Sequence, residues 1–173
     1  MGDHMAKVLI VYDSRAGVVY GMARAVAEGL RSGGVEAIME DVSSAEPMDL
    51  EKYDGFIVGS PCYMANMTGK VKQFLDATWP LRGRLDGKVG AAFAAERHVA
   101  GGAEETLRSI QDALLIHGMI LQGDCEGGPF GPVALNGALE GGGPGEGDDV
   151  VAEDGDAARR LGARVAALVK KLG

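Results

Sequence analysis

An alternation between two hydrophobic periods constrains this chain more than any other feature. Lys7-Val8-Leu9-Ile10-Val11-Tyr12 is a nearly unbroken apolar run that stops at Asp13-Ser14, the pattern of a strand buried on both faces of a parallel sheet. The period then changes. Met22, Val26 and Leu30 recur four apart with Ala25 and Gly29 beside them, and Ser32-Gly33-Gly34 closes the helix. The unit repeats with a strand over 35–42, a short helix over 47–53 and a third strand over 55–59. A helix from about residue 68 carries Val71, Phe74, Leu75 and Thr78 on one face, and 88–94 reads as the fourth strand. Leu107, Ile110, Leu114 and His117 form the stripe of the next helix, 119–121 the fifth strand, and Leu161, Val165, Leu168, Val169 and Leu172 mark the last helix. Five strands alternating with five helical patterns predict an α/β, doubly wound, five-stranded parallel sheet with helices on both faces.

Composition narrows the function classes. With 173 residues, 46% of them hydrophobic, one core serves the whole chain. Met1-Gly2-Asp3-His4-Met5 has the form of an expression-tag remnant, which leaves residues 6–173 as a single expected domain. No targeting segment or long apolar run precedes the first strand, so the expected location is the cytoplasm, with no membrane partner. Cys62 and Cys125 are too few for a disulfide scaffold and too far apart in sequence for a metal-binding pair, and no metal site is expected. A net charge of −8 without a long Lys/Arg run argues against nucleic acid. The stretch 123–155 breaks the rhythm. It is rich in Gly and carries Glu140, Glu146, Asp148, Asp149, Glu153 and Asp154, so about 140–155 reads as a solvated loop.

Ligands of a doubly wound sheet bind beyond the carboxyl ends of its strands, and three loops leave that edge. The first is Asp13-Ser14-Arg15-Ala16-Gly17-Val18-Val19-Tyr20. Amides at a helix start lack intrahelical partners and sit at the positive end of the dipole, so they suit a phosphate. Ser14 offers a hydroxyl, Gly17 a turn without a Cβ and Arg15 a positive charge. The pattern fits neither a Walker-A loop nor a G-x-G-x-x-G dinucleotide loop. An ordinary strand-to-helix turn has the same letters.

The second loop, Ser60-Pro61-Cys62-Tyr63-Met64-Ala65-Asn66-Met67-Thr68, offers Tyr63 and Met64 to a flat aromatic ring and Asn66 to its polar edge. The alternative has Tyr63 and Met64 capping the core and Asn66 making a turn. The third loop, 94–102, places Glu96-Arg97-His98 before Val99-Ala100-Gly101-Gly102. His117 on its apolar stripe also suits a packed, hydrogen-bonded core histidine.

Together these segments resemble the flavodoxin superfamily, most closely the WrbA-type NAD(P)H:quinone oxidoreductases. The resemblance is carried by residues 7–12, by Met22-Ala23-Arg24-Ala25-Val26-Ala27-Glu28-Gly29, by Gly59-Ser60-Pro61, by Asn66-Met67-Thr68-Gly69-Lys70 and by Phe74-Leu75-Asp76. It continues through Gly101-Gly102-Ala103-Glu104, His117-Gly118-Met119 and Gly128-Pro129-Phe130-Gly131-Pro132. It implies a flavodoxin-like fold holding FMN, with the phosphate on Ser14, Arg15, Ala16, Gly17, Val18 and Val19. It further implies that Pro61, Cys62, Tyr63, Met64 and Asn66 cover one side of the ring. Ala95, Glu96, Arg97, His98, Gly101 and Gly102 would then line its polar edge, with His117 near the flavin and with His117 and His98 as the candidate catalytic residues. NADH or NADPH is the implied reductant, a quinone-like acceptor or a redox protein the electron acceptor, and a dimer or tetramer the implied assembly.

Departures from the family pattern sit in the loops. Ala16-Gly17-Val18-Val19 stands where flavodoxins carry Thr-Gly-Asn-Thr, and Glu96-Arg97-His98 where small Ser, Thr and Gly residues are usual. An aromatic residue expected near Ala16 and an insertion after the second strand are both missing. Trp79 reads either as a substrate-facing tryptophan or as a core residue. Three functions remain open at this level: an FMN-dependent two-electron quinone reductase, a flavodoxin-like electron carrier, and a flavin-free binding module on the same fold.

Overall fold

The computed structural model describes residues 5–15, 17–135 and 152–173. The first four residues of the suspected tag, Ala16, and 136–151 of the Gly- and acid-rich stretch lie outside the described residues. The elements run β1 (Lys7–Tyr12), α1 (Val18–Ser32), β2 (Glu36–Asp41), β3 (Gly55–Pro61), α2 (Gly69–Ala77), β4 (Val89–Glu96), α3 (Ala103–Ile116), β5 (Ile120–Leu121), β6 (Val133–Leu135) and α4 (Ala152–Leu172). Every pairing is parallel, in the order β2-β1-β3-β4-β5. The chain therefore reverses its direction of travel across the sheet between β1 and β3, which fixes the topological switch point at their carboxyl ends.

Side chains of a strand alternate between faces, and the sheet uses both. Val8 and Ile10 of β1 pack with Met22, Val26 and Leu30 of α1 and with Leu161 and Val165 of α4. Leu9 and Val11 face the other way, onto Val71, Phe74 and Leu75 of α2 and Leu107, Ile110 and Leu114 of α3. Each of these side chains is fully or almost fully buried, and such burial stabilises by roughly 1.5–3 kcal/mol per large aliphatic group. On the first face the helices nearly touch at backbone level. A Cβ on Gly29 would lie 2.0 Å from the Arg159 carbonyl oxygen, and one on Gly162 would lie 2.1 Å from that of Val26.

Four sequence expectations change. The short helix over 47–53 is a 3-10 turn, Pro47–Lys52, begun by a proline. The fifth strand is split: β5 pairs with Val89 and Gly90 at the start of β4, while β6 pairs with Ala94–Glu96 at its end. Between them the chain leaves the sheet, since Pro129 and Pro132 lack amide donors and Gly131 adopts a φ of 138°. The acidic segment ends earlier than expected, because α4 already starts at Ala152 and takes 152–155 into the helix. Trp79 is not a core residue; it is 59% exposed on a 3-10 turn, with the Arg82 guanidinium 5.0 Å from its ring centroid. No described helix is long and apolar enough to cross a membrane.

Candidate functional site at the carboxyl edge

Asp13 follows β1 and is buried. Its amide donates to the Gly59 carbonyl at 3.1 Å, and its carboxylate accepts the Thr68 hydroxyl at 2.7 Å. The Thr68 amide donates to Ser60 Oγ at 3.0 Å, and that hydroxyl donates to the Pro61 carbonyl at 2.9 Å. Thr68 Oγ1 also accepts the Val71 amide as the N-cap of α2. Asp13, Ser60 and Thr68 thus lock the first loop to both ends of the second. Sequence reading assigned none of them a role. The Thr68-Gly69-Lys70-Val71 cap was visible, but its partner stands 55 positions away.

The first loop turns at Gly17, the N-cap of α1, with φ 87° and no side-chain cap. Such a φ favours glycine, because an L side chain there is crowded by its own backbone. Ser14 Oγ accepts the Tyr20 amide at 3.2 Å. The amides of Val18 and Val19 keep no partner among the described residues and point out of the positive end of a 15-residue helix. Arg15 reaches across to the second loop, its guanidinium 5.3 Å from the Tyr63 ring centroid.

The second loop is a tight reversal. Tyr63 and Asn66 exchange backbone hydrogen bonds at 2.9 and 3.0 Å around Met64 (φ 52°) and Ala65 (φ 57°). These angles are those of a type I′ turn, which normally selects Asn or Gly. Asn66 spends its side-chain oxygen on the Met67 amide, as the turn alternative expected. Tyr63 and Met64 do not cap the core; Met64 is 99% exposed at the tip.

The third loop contains Ala100 (φ 60°), so the three non-glycine positive-φ residues among the described residues all fall on the second and third loops. Backbone held in such regions costs of order 1–3 kcal/mol per residue and concentrates at functional sites. The two loops are fastened together. Cys62 Sγ donates to the Gly101 carbonyl at 3.2 Å, the Cys62 amide to the Ala95 carbonyl at 2.7 Å, and a Cβ on Gly102 would meet Ala65 at 2.6 Å. Glu96 turns its carboxylate away to accept the Ala103 amide at 3.1 Å, capping α3 where Gly102 has no side chain to do so.

Ser14, Arg15, Val18, Val19, Pro61, Cys62, Tyr63, Ala95, Glu96 and Arg97 together line one groove of about 220 Å³. Pockets that enclose a whole ligand run about 300–1,000 Å³, so a ligand the size of FMN extends over the rim. Gly17, Gly101 and Gly102 shape the loops behind the groove, while Met64, Asn66 and His98 belong to the loops without lining it. The donor set fits a flavin mononucleotide: helix-start amides without a partner among the described residues and a guanidinium for a phosphate, then two loops with an aromatic side chain for a planar ring.

His117 does not join this site. Helix α3 runs antiparallel to β4, so its end lies at the opposite, amino edge of the sheet, where the Gly118 carbonyl accepts the Gly87 amide. His117 is buried, and its Nε2 stands 2.8 Å from Thr78 Oγ1. That hydroxyl donates its only hydrogen to the Leu75 carbonyl, so Nε2–H must donate to it and Nδ1 carries the lone pair. Nδ1 has no partner among the described residues. Burial, aided by the Arg82 charge, holds the imidazole below its ordinary pKa and neutral. A larger cavity of about 860 Å³ at the same edge is lined by Lys88 and Lys170. Both ammonium groups donate to backbone carbonyls.

The profile of the NADPH-dependent FMN reductase family matches residues 48–126, which span the second and third loops. An NAD(P)H dehydrogenase (quinone) of Gluconacetobacter diazotrophicus is 37% identical over 202 residues, covering 97% of this chain and 99% of the relative. One from Archaeoglobus fulgidus is 36% identical over 147 residues, covering 69% and 76%. Among solved structures, the WrbA-like flavodoxin from Agrobacterium tumefaciens superposes with a TM-score of 0.77 at 25% identity, over 97% of this chain and 99% of that one. A flavodoxin from the domain Archaea gives 0.74 at 22% identity, over 95% and 99%, a likeness of fold.

Proposed function

The chain belongs to the NAD(P)H dehydrogenase (quinone) family, and on that premise we propose that it is an FMN-dependent oxidoreductase passing two electrons from NAD(P)H to a quinone-like acceptor. The observation that carries the reading is the convergence of three loops, from β1, β3 and β4, on one groove lined by Val18 and Val19, whose amides have no partner among the described residues. FMN, when bound, supplies the electron chemistry. The protein's own groups bind and orient. The α1 amides and Arg15 neutralise the phosphate, Pro61, Cys62 and Tyr63 form one wall for the ring, and Ala95, Glu96 and Arg97 form the other. The Asp13–Thr68–Ser60 hydrogen bonds and the Cys62–Gly101 bond keep both walls in place. Of the two candidate histidines only His98 stands at this edge; exposed on the third loop outside the groove lining, it is placed to meet an incoming substrate rather than the flavin.

The protein as assigned works in the cytoplasm, where NAD(P)H is supplied and its two free thiols stay reduced. It works as a dimer or tetramer. Thr78 and His117 join the 3-10 turn to the end of α3, and Trp79, Leu115 and Ile116 around them are all more than half exposed, a placement that suits burial against another subunit.

The test is to add FMN, then mix the yellow protein with NADH or NADPH in a stopped-flow instrument. Bleaching of the flavin within seconds by at least one nucleotide, followed by recovery of colour on adding a quinone, is the expected result. A flavin that neither nucleotide bleaches removes the reading, and sedimentation of a monomer removes the assembly.

A further inference from the structure

The groove is cationic in a chain whose net charge is −8. Arg15 and Arg97 both line it. The one carboxylate in its lining, Glu96, is committed to the Ala103 amide at the positive end of α3. Asp13, behind it, accepts the Thr68 hydroxyl. Glu104 and Glu105, in the first turn of α3, are solvent-exposed, as is His98. Arg15 lies on Tyr63 beside the α1 amides, at the phosphate end. A phosphate on those amides would direct the ring toward the second and third loops, where Arg97 lines the groove with no ion pair among the described residues.

We propose that Arg97 sets the reduction potential of the bound flavin by holding the reduced ring more tightly than the oxidised one. The inference rests on the FMN reading above. Hydride transfer from NAD(P)H delivers two electrons and one proton, releases NAD(P)⁺, and converts a neutral ring into one bearing a single negative charge at neutral pH. A guanidinium beside the ring attracts only the second of these. Of the charged run Glu96-Arg97-His98 on the third loop, Arg97 is the cation that lines the groove. Arg97 is exposed, so solvent screening keeps the effect modest, about three- to tenfold in relative affinity.

The experiment is a spectroelectrochemical titration of the FMN-loaded protein, wild type against Arg97→Gln and Arg97→Lys, with oxidised-FMN affinity measured in parallel by fluorescence quenching. Arg97→Gln is expected to weaken reduced-FMN binding about three- to tenfold more than oxidised-FMN binding, which lowers the midpoint by about 15–30 mV for a two-electron couple. Arg97→Lys, which keeps the charge, restores most of the difference. High salt shrinks it. Equal midpoints in Arg97→Gln and wild type overturn the inference while leaving the FMN reading intact. Equal weakening of both redox forms overturns it too, since Arg97 is then only a binding residue. A wild-type protein that takes up no FMN overturns both.

Discussion

Thr68 is the residue on which the carboxyl edge depends. It donates through its hydroxyl to Asp13 and through its amide to Ser60, and it accepts from Val71. Thr68→Val keeps the volume but leaves the buried Asp13 carboxylate and the Val71 amide without these partners. Expected is a loss of roughly 1–3 kcal/mol in denaturant unfolding, together with weaker FMN binding. The opposite sign is expected at the tip of the second loop. Met64→Asn with Ala65→Gly installs the residues that a type I′ turn selects, and should raise stability by about 1 kcal/mol, read as a higher urea midpoint at unchanged m. His117 gives a pH signature. Its folded pKa is depressed by burial, so the unfolded chain takes up the proton first. Stability from this group is therefore constant above its ordinary value of about 6.5 and falls as pH drops below it. His117→Gln should flatten that slope, measured as midpoint against pH from 5 to 8. Legibility at this scale followed distance along the chain. Ser14 and Gly17 act within one turn and were readable; the Asp13–Thr68 bond was not. Resemblance alone points His117 toward the flavin, whereas the reversal of α3 against β4 sends it to the other edge.

Helices α1 and α4 show what decides between packed elements. Gly29 and Gly162 face the carbonyls of Arg159 and Val26 at distances that no Cβ tolerates, so the helix backbones are in contact. Gly162→Ala gains up to about 1 kcal/mol of helix propensity, but must push two helices apart. Expected is a net loss of about 1–3 kcal/mol by overpacking, checked by thermal unfolding. A rise in melting temperature would show that the helices slide freely. The elements themselves were largely visible, because strands buried on both faces and helices of period 3.6 leave different apolar patterns. The missed features have local causes. The split of the fifth strand comes from Gly and Pro between β5 and β6, and the pattern of so short a strand as Ile120–Leu121 cannot report where pairing resumes. Helix α4 begins in acidic residues that lack an apolar stripe, so its first turn carries no helical signal in the sequence.

The groove exists only when the whole sheet is assembled. Its walls come from the ends of β1, β3 and β4, contiguous in the sheet but separated in the sequence by β2 and three crossovers. A ligand bound there holds three loops at once and stabilises the folded state without binding the unfolded one. At a free concentration 100 times the dissociation constant, that linkage is worth about 2.7 kcal/mol, which for a chain of this length is about 5–10 °C in melting temperature. Riboflavin separates the two ends of the site. It has the ring but no phosphate, so it meets the second and third loops and leaves the Val18 and Val19 amides and Arg15 unused. Expected in a thermal scan at equal concentrations is a clear upward shift with FMN and a shift several degrees smaller with riboflavin. Arg15→Ala should narrow the gap between the two ligands, because the variant removes charge only at the phosphate end. Equal shifts with FMN and riboflavin would mean that the α1 amides do not carry the phosphate, and the orientation of the ring toward Arg97 would fall with that assignment.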